Sequence, residues 1–274
     1  MKRLLLQVDT DPHACSFDGV VAYDAGVDNI LPYGGVTPES LPGLLRGAMF
    51  TRGPDKLKNT AVFIGGSSLA AGRELLDVCR DTFFGPMRVS VLFDASGSQT
   101  TATAAVHRAK KHLEDAAPVV VLGYGPVGAT AAELFDSLGH PVTLAGRNPE
   151  KLAAARSGGI DGALLGSDEL AAKLDAAHGL IAAGAEGVTM LEDWRRDNLK
   201  VAIDLNAVPP EGLPGIDVMD KAKDSEGIVV YGALGVGGFK MKLHKRAVAA
   251  LFESNDQIIT APELYELARE LDAA

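Results

Sequence analysis

The stretch VVVLGYGPVGATAAELF, residues 119–135, sends a four-residue apolar run into Gly123, Gly125 and Gly128 and then into a helical pattern. A strand that turns within a few residues into a helix through spaced glycines is hard to place anywhere but in a parallel α/β sheet. Gly123 allows the tight turn, Gly125 lets the backbone approach a pyrophosphate, and Gly128 permits close packing of helix on strand. The helix start presents free N–H groups to an anion, and Pro126 and Val127 complete the candidate cofactor-binding turn. A strand-turn-helix that merely needs its glycines is the alternative. The strand before and the helix after favour dinucleotide binding.

The residue that discriminates between dinucleotides lies about twenty positions on, at the end of the next strand. A site for NAD places Asp or Glu there to accept the ribose 2′-OH. This chain reads VTLAGRNPEK, with Gly146, Arg147 and Asn148 in that place and Lys151 one turn later. A guanidinium there pairs with a 2′-phosphate by charge-assisted hydrogen bonds, so the cofactor expected is NADP. The alternative is an Arg147 that is only a solvated residue opening the next helix. Ala183 of GLIAAG and Asn206 of IDLNAVPP join the expected cofactor set.

The same alternation organises the whole chain. Residues 1–98 alternate strand-like and helical runs (RLLLQVD, ESLPGLLRGAMF, TAVFIGG, LAAGRELLDVCRDTFF, MRVSVLFDAS), which is the pattern of βαβ units on a parallel sheet. An Ala-rich helix is expected over 99–117, closed by Pro118. A second parallel sheet is expected over 118–239, with VVVLGYG, HPVTLAG, GLIAAG, KVAIDLN and GIVVYG as its strands. GALGVGGFKMKLHKR then reads as a Gly-rich turn followed by a basic amphipathic helix. The expected architecture is therefore two parallel-sheet α/β domains with a cleft between them. Residues 1–98 and 240–274 form a discontinuous first domain, 99–117 a linking helix, and 118–239 the Rossmann-type domain.

With 274 residues, 47% of them hydrophobic, the chain can bury cores of this size. Its net charge of −10 disfavours nucleic acid or an anionic membrane as partner, since both require a basic face. Any anionic ligand must then meet locally placed Lys and Arg. Cys15 and Cys79 are too few for a disulfide framework and sit in no metal-ligand spacing, so cytoplasmic thiols are expected and no metal site. The start MKRLLLQVDTD meets acid before a signal-length apolar run builds up, and no apolar run approaches eighteen residues. HExxH, GxSxG and P-loop patterns do not occur. His107 and His112 fall on the expected linking helix, where solvated or half-buried roles are the ordinary ones.

Two polar clusters remain. In FDASGSQTT a strand ends at Asp94 and gives way to small polar residues, placed to line the mouth of a parallel sheet or to cap a helix. In GGFKMKLHKR, Lys240 and Lys242 supply local positive charge, with a solvated helix face as the default reading.

These segments resemble a known family, the NADP-dependent methylene-tetrahydromethanopterin dehydrogenases of methylotrophic bacteria, related enzymes of which accept methylene-tetrahydrofolate. The resemblance runs nearly end to end, through LLLQVDTD, SFD, YGGVTPE, FTRG, AVFIGG, FFGPMRVSVLFDASGSQTT, GYGPVG, AGR, IDLNAVPP, YGALGVGGFKMKLH and LFES. It implies hydride transfer between the nicotinamide and the one-carbon bridge of a pterin, and a homo-oligomer, a trimer or hexamer. Lys240 falls on the family's pterin-site lysine, Thr101 on a threonine of the same site, and Arg147 on the residue that holds the 2′-phosphate. Gln99 stands where a relative has Asn, and the segment between AGRNPEKLAAARS and GLIAAG is shorter than the family's.

Removing hydride from a methylene flanked by two nitrogens leaves an amidinium-like cation, so the step needs no proton transfer. Lys240 is accordingly assigned to substrate orientation rather than to general-base work. Gln99 and Thr100 join the expected substrate set, and Asp94 and Asp9, at strand ends, are candidates to offset the cationic product. The rival readings are the same reaction on methylene-tetrahydrofolate and a non-catalytic NADP(H) sensor.

Overall fold

The computed structural model describes residues 1–273. The first half of the chain forms β1 (Leu4–Asp9), α1 (Ser16–Asp24), β2 (Asn29–Tyr33), α2 (Leu41–Met49), β3 (Thr60–Gly65), α3 (Leu69–Thr82), β4 (Ser90–Phe93), α4 (Ser98–Lys110), β5 (Val119–Leu122) and α5 (Pro126–Ser137). The second half forms β6 (Val142–Gly146), α6 (Pro149–Ser157), β7 (Asp161–Leu164), α7 (Asp168–Ala176), β8 (Gly179–Ala182), β9 (Val201–Asp204), β10 (Lys221–Ser225), β11 (Ile228–Tyr231), α8 (Ala233–Ala250), β12 (Ile258–Ile259) and α9 (Ala261–Ala273). The chain divides into two compact units, residues 1–100 with 241–274, and residues 101–240.

The first unit is built on a five-stranded sheet in the order β12-β4-β3-β1-β2, its neighbours all parallel. β3 and β4 are buried at every position, and β1 at all but Leu4. Parallel strands covered on both faces read as continuous apolar runs, which is why their sequences show no alternation. Leu6, Val8, Ile64, Leu75 and Val91 pack here against Leu41 and Leu45 of α2. β2 lies at the sheet edge and is largely exposed, with Pro32 limiting further strand pairing there.

The second unit carries a seven-stranded sheet in the order β10-β11-β9-β8-β5-β6-β7. It is parallel except for β10, which pairs antiparallel with β11. The chain leaves β5 to build β6 and β7 on one side and returns to build β8 and β9 on the other. β5 therefore stands at the switch point, where the C-terminal ends of the strands diverge and open a crevice.

Two expectations need correction. The helix expected over 99–117 begins at Ser98 and ends at Lys110. Beyond it the His112 N–H turns back to the Ala109 carbonyl, and Ala116 adopts a positive φ of 55°. The Gly-rich turn expected after Tyr231 is instead the start of α8. A Cβ at Gly235 would overlap the Asp220 carbonyl, so that glycine serves a close backbone approach within a helix rather than a turn.

Candidate functional site

The crevice at the end of β5 is built by backbone. Gly123 has φ +116, and a Cβ there would overlap the Ala183 carbonyl at the end of β8. The Gly123 N–H donates to the Ala145 carbonyl and the Ala183 N–H to the Leu122 carbonyl, each at 2.7 Å, so the turn is fixed to both neighbouring strands. A Cβ at Gly128 would overlap the Gly123 carbonyl, which places α5 directly on the turn. At Gly125 the nearest atom to such a Cβ is the Ala183 carbonyl oxygen at 3.8 Å, leaving open space above the backbone. Gly125 is also the N-cap of α5 and provides no side-chain cap. Amides at a helix start, open space and glycine form an anion cradle.

Above this turn lies a cavity of about 470 Å³. Of the sequence-expected residues, Gly123, Gly125, Pro126, Val127, Arg147, Asn148, Lys151 and Ala183 line it, together with Gly146 and Tyr124. Leu165, Gly184, Ala185, Val188 and Met190 complete the wall. Arg147 and Lys151 are both exposed at this site, and the Arg147 guanidinium reaches the Thr189 carbonyl at 3.4 Å. Asn148 accepts from the Glu150 and Lys151 N–H groups at 2.8 and 3.2 Å, capping α6. Asn206 instead joins two loops: its side chain accepts from Gly187 and Val208 N–H and donates to the Pro210 carbonyl.

Asp204, at the end of β9, accepts from the Asn206 and Leu213 N–H groups at 3.0 Å each. Burial pushes its carboxyl above the usual range, against the opposing pull of these backbone bonds. It holds the loop whose Gly212 carbonyl receives the Met190 N–H at 2.8 Å. Sequence reasoning had no signal for the 184–190 wall, since no periodicity marks it. Tyr124 was visible inside the glycine motif but carried no distinguishing pattern.

In the first unit, Asp94 is buried and its carboxylate accepts from the Gln99 N–H at 2.8 Å, the Thr100 N–H at 3.0 Å and the Thr100 hydroxyl at 2.7 Å. It thereby caps the start of α4. The Gln99 side chain accepts from the Ala261 N–H at 3.0 Å and so holds the start of α9. Asp9, also buried, accepts from the Asp11 and Cys15 N–H groups at 3.0 and 3.1 Å. Thr101 and Lys240 are half-buried, on α4 and α8, and are the first and last residues of the second unit. One turn beyond Lys240, the buried His244 stacks on Phe63 with ring centroids 5.7 Å apart.

The parallel sheet, the glycine turn at its switch point and the cationic residues beyond β6 define a Rossmann-type dinucleotide-binding protein. The fold is also that of shikimate 5-dehydrogenase from Thermus thermophilus, solved in complex with NADP(H) and shikimate, at 18% identity and TM-score 0.51 over 98% of this chain and 99% of that one. The family described as "Methylene-tetrahydromethanopterin dehydrogenase, N-terminal" matches residues 16–96. Two proteins of Methylorubrum extorquens match at full length. The bifunctional protein MdtA is 39% identical over 98% of this chain and 99% of its own. The NAD(P)-dependent methylenetetrahydromethanopterin dehydrogenase is 30% identical over 99% of each. The chain belongs to the methylene-tetrahydromethanopterin dehydrogenase family.

Proposed function

We propose that the protein is an NADP-dependent methylene-tetrahydromethanopterin dehydrogenase, converting methylene-tetrahydromethanopterin and NADP⁺ to the methenyl form and NADPH. The observation that carries the reading is the cavity over the glycine turn, with Gly146 at the end of β6, where an NAD site would keep a carboxylate, and the cations Arg147 and Lys151 just beyond it. Full-length identity to a dehydrogenase of this name supports the substrate class.

The residues present fit the cofactor. Gly125 leaves open the space a pyrophosphate needs, α5 opens without a side-chain cap, and Arg147 is placed to pair with a 2′-phosphate. When bound, NADP⁺ supplies the two-electron oxidant. The segment between α6 and β8 carries β7 and α7, and from it Leu165 lines the cavity.

On the substrate side we assign Thr101 and Lys240 to orienting the pterin. No proton has to move in the oxidation, because the nitrogens flanking the one-carbon bridge stabilise the cation. The bonds made by Asp9, Asp94, Gln99 and Thr100 support a shaping role for these residues, which hold the turns after β1 and β4. Asp9 and Asp94, as carboxylates at the ends of β1 and β4, are assigned to offsetting the cationic product.

The free thiols Cys15 and Cys79 support a cytoplasmic protein. Among the described residues no helix is long and apolar enough to cross a membrane. The homo-oligomer implied by the family resemblance is read by light scattering.

The test is NADPH formation at 340 nm by the purified protein, with methylene-tetrahydromethanopterin and methylene-tetrahydrofolate side by side, each with NADP⁺ and NAD⁺. Turnover of the methanopterin with NADP⁺ is expected, and turnover of the folate alone would move the substrate. No turnover of either, with tight NADPH binding, would replace the enzyme by a sensor. Arg147→Ala should weaken NADP⁺ about 10- to 100-fold while leaving NAD⁺ nearly unchanged, as expected for losing a charge-assisted pair.

A further inference from the structure

Gly146 is the last residue of β6 and stands where a fold that keeps NAD carries the carboxylate for the ribose 2′-OH. A Cβ at Gly146 would overlap Cδ2 and Cε2 of the Tyr124 ring. That ring is anchored at its far end, where the phenol donates to the Leu144 carbonyl at 3.0 Å. Leu144 is the register partner of Gly162 on β7, and a Cβ at Gly162 would come to 3.4 Å from the phenol oxygen. The ring therefore lies over the C-terminal half of β6, where Gly146 leaves room for it, and reaches ordinary contact distance of Gly162 on β7, whose own missing side chain makes room for Leu152.

We propose that Tyr124 is a specificity-determining residue for NADP, because its ring fills the volume that an acidic side chain at position 146 would need. The turn thus excludes the carboxylate solution to ribose recognition from beneath, independently of the attraction Arg147 provides. This inference rests on the NADP reading above and extends it, from the residue that attracts the phosphate to the residue that bars its competitor. It makes a prediction that Arg147 alone does not: position 146 and position 124 are coupled.

The experiment measures NADPH and NADH dissociation constants by fluorescence titration, with thermal unfolding in parallel. The proteins are the unaltered chain, Gly146→Asp, Tyr124→Ala, the double variant Tyr124→Ala/Gly146→Asp, and Tyr124→Phe/Gly146→Asp. Gly146→Asp alone should weaken NADPH without gaining NADH. The Ala double variant should bind NADH about tenfold or more tighter than Gly146→Asp does, a coupling typical of residues in contact. The Phe double variant, which keeps the ring and loses only the phenol bond, should behave like Gly146→Asp.

If Gly146→Asp does not fold, Tyr124→Ala should restore folding and Tyr124→Phe should not. Equal NADH gain with and without the ring, or an Ala double variant that stays unfolded, would overturn the proposal. The unaltered protein is read first: failure to prefer NADPH there would overturn the cofactor reading itself, whereas NADPH preference without coupling would overturn only the role of Tyr124.

Discussion

The strand-to-helix turns after β4 and after β5 are of nearly equal length and treat the helix start in opposite ways. After β4, the Asp94 carboxylate takes up two N–H groups and a hydroxyl at the start of α4. After β5, α5 starts from Gly125 with no side-chain cap, and Gly123 and Gly128 stand where a Cβ would overlap the Ala183 and Gly123 carbonyls. A helix start needs partners for its first N–H groups. One turn supplies them from within and is thereby a structural joint. The other has no side-chain cap and opens onto a cavity. Glycine-rich and polar turns at strand ends both look like sites in sequence, and what separates them is who satisfies the amides.

The strongest way to break this comparison is to put a side chain into the open turn. Gly123→Val combines a positive φ with overlap on the Ala183 carbonyl, and such strain and overpacking together cost about 2–5 kcal/mol. Ala183 and Gly184 line the cavity, so their displacement should weaken NADPH about 30-fold or more, the equivalent of the lower bound. Fluorescence titration and thermal unfolding measure the two effects. Unchanged NADPH affinity would show that the cofactor is not held at this turn.

The converse experiment removes the internal cap. Asp94→Ala strips three hydrogen bonds from a buried carboxylate and leaves the Thr100 hydroxyl and two amides to find new partners. Losing bonds to a charged group costs about 1.5–3 kcal/mol. The expected outcome is a lowered unfolding free energy in denaturant titration, with NADPH affinity unchanged. A loss of NADPH affinity matching that of Gly123→Val would erase the distinction between the two turns.

What the sequence disclosed follows the same division. β3, β4, β5, β8 and β9 were legible because strands buried on both faces are apolar runs. β7 was not, being the four residues DGAL, and neither was β10, whose KAKDS is polar because the strand is an exposed edge. The glycines around the start of α8 concealed it, since Gly232 and Gly235 answer to the 217–221 backbone packed against them, while a Cβ at Gly237 or Gly238 would meet nothing. At the site, Gly123, Gly125, Arg147 and Lys151 were readable from spacing. Val188 and Met190 were not, because their place depends on bonds to Glu211 and Gly212 some twenty residues away. For FDASGSQTT the sequence left cap and cleft as equal readings, and the cap turns on Asp94 rather than on the Ser and Thr residues that suggested it.

The smallest effect expected comes from the opposite ends of the same two helices. Lys110 closes α4 and His140 follows α5, and their side chains meet at 2.9 Å between Nζ and Nε2. His140 Nδ1 lies 2.8 Å from the Ala117 carbonyl, which can only accept, so Nδ1 carries the proton and Nε2 offers its lone pair to the ammonium. Protonating Nε2 would set two cations face to face. Burial first, and then Lys110, hold the imidazole below its usual pKa, against the Ala117 bond and Asp115, which raise it. A histidine with a lowered folded pKa binds its proton more readily in the unfolded chain, so its contribution is present above the unfolded value and is lost as pH falls through it. The thermal midpoint should therefore drop between pH 7.5 and 5.5 more steeply in the unaltered protein than in His140→Gln, whose amide keeps an acceptor and does not titrate. Identical slopes would mean that the far ends of α4 and α5 are joined without regard to charge, and that the contrast between the two helices is confined to where they begin.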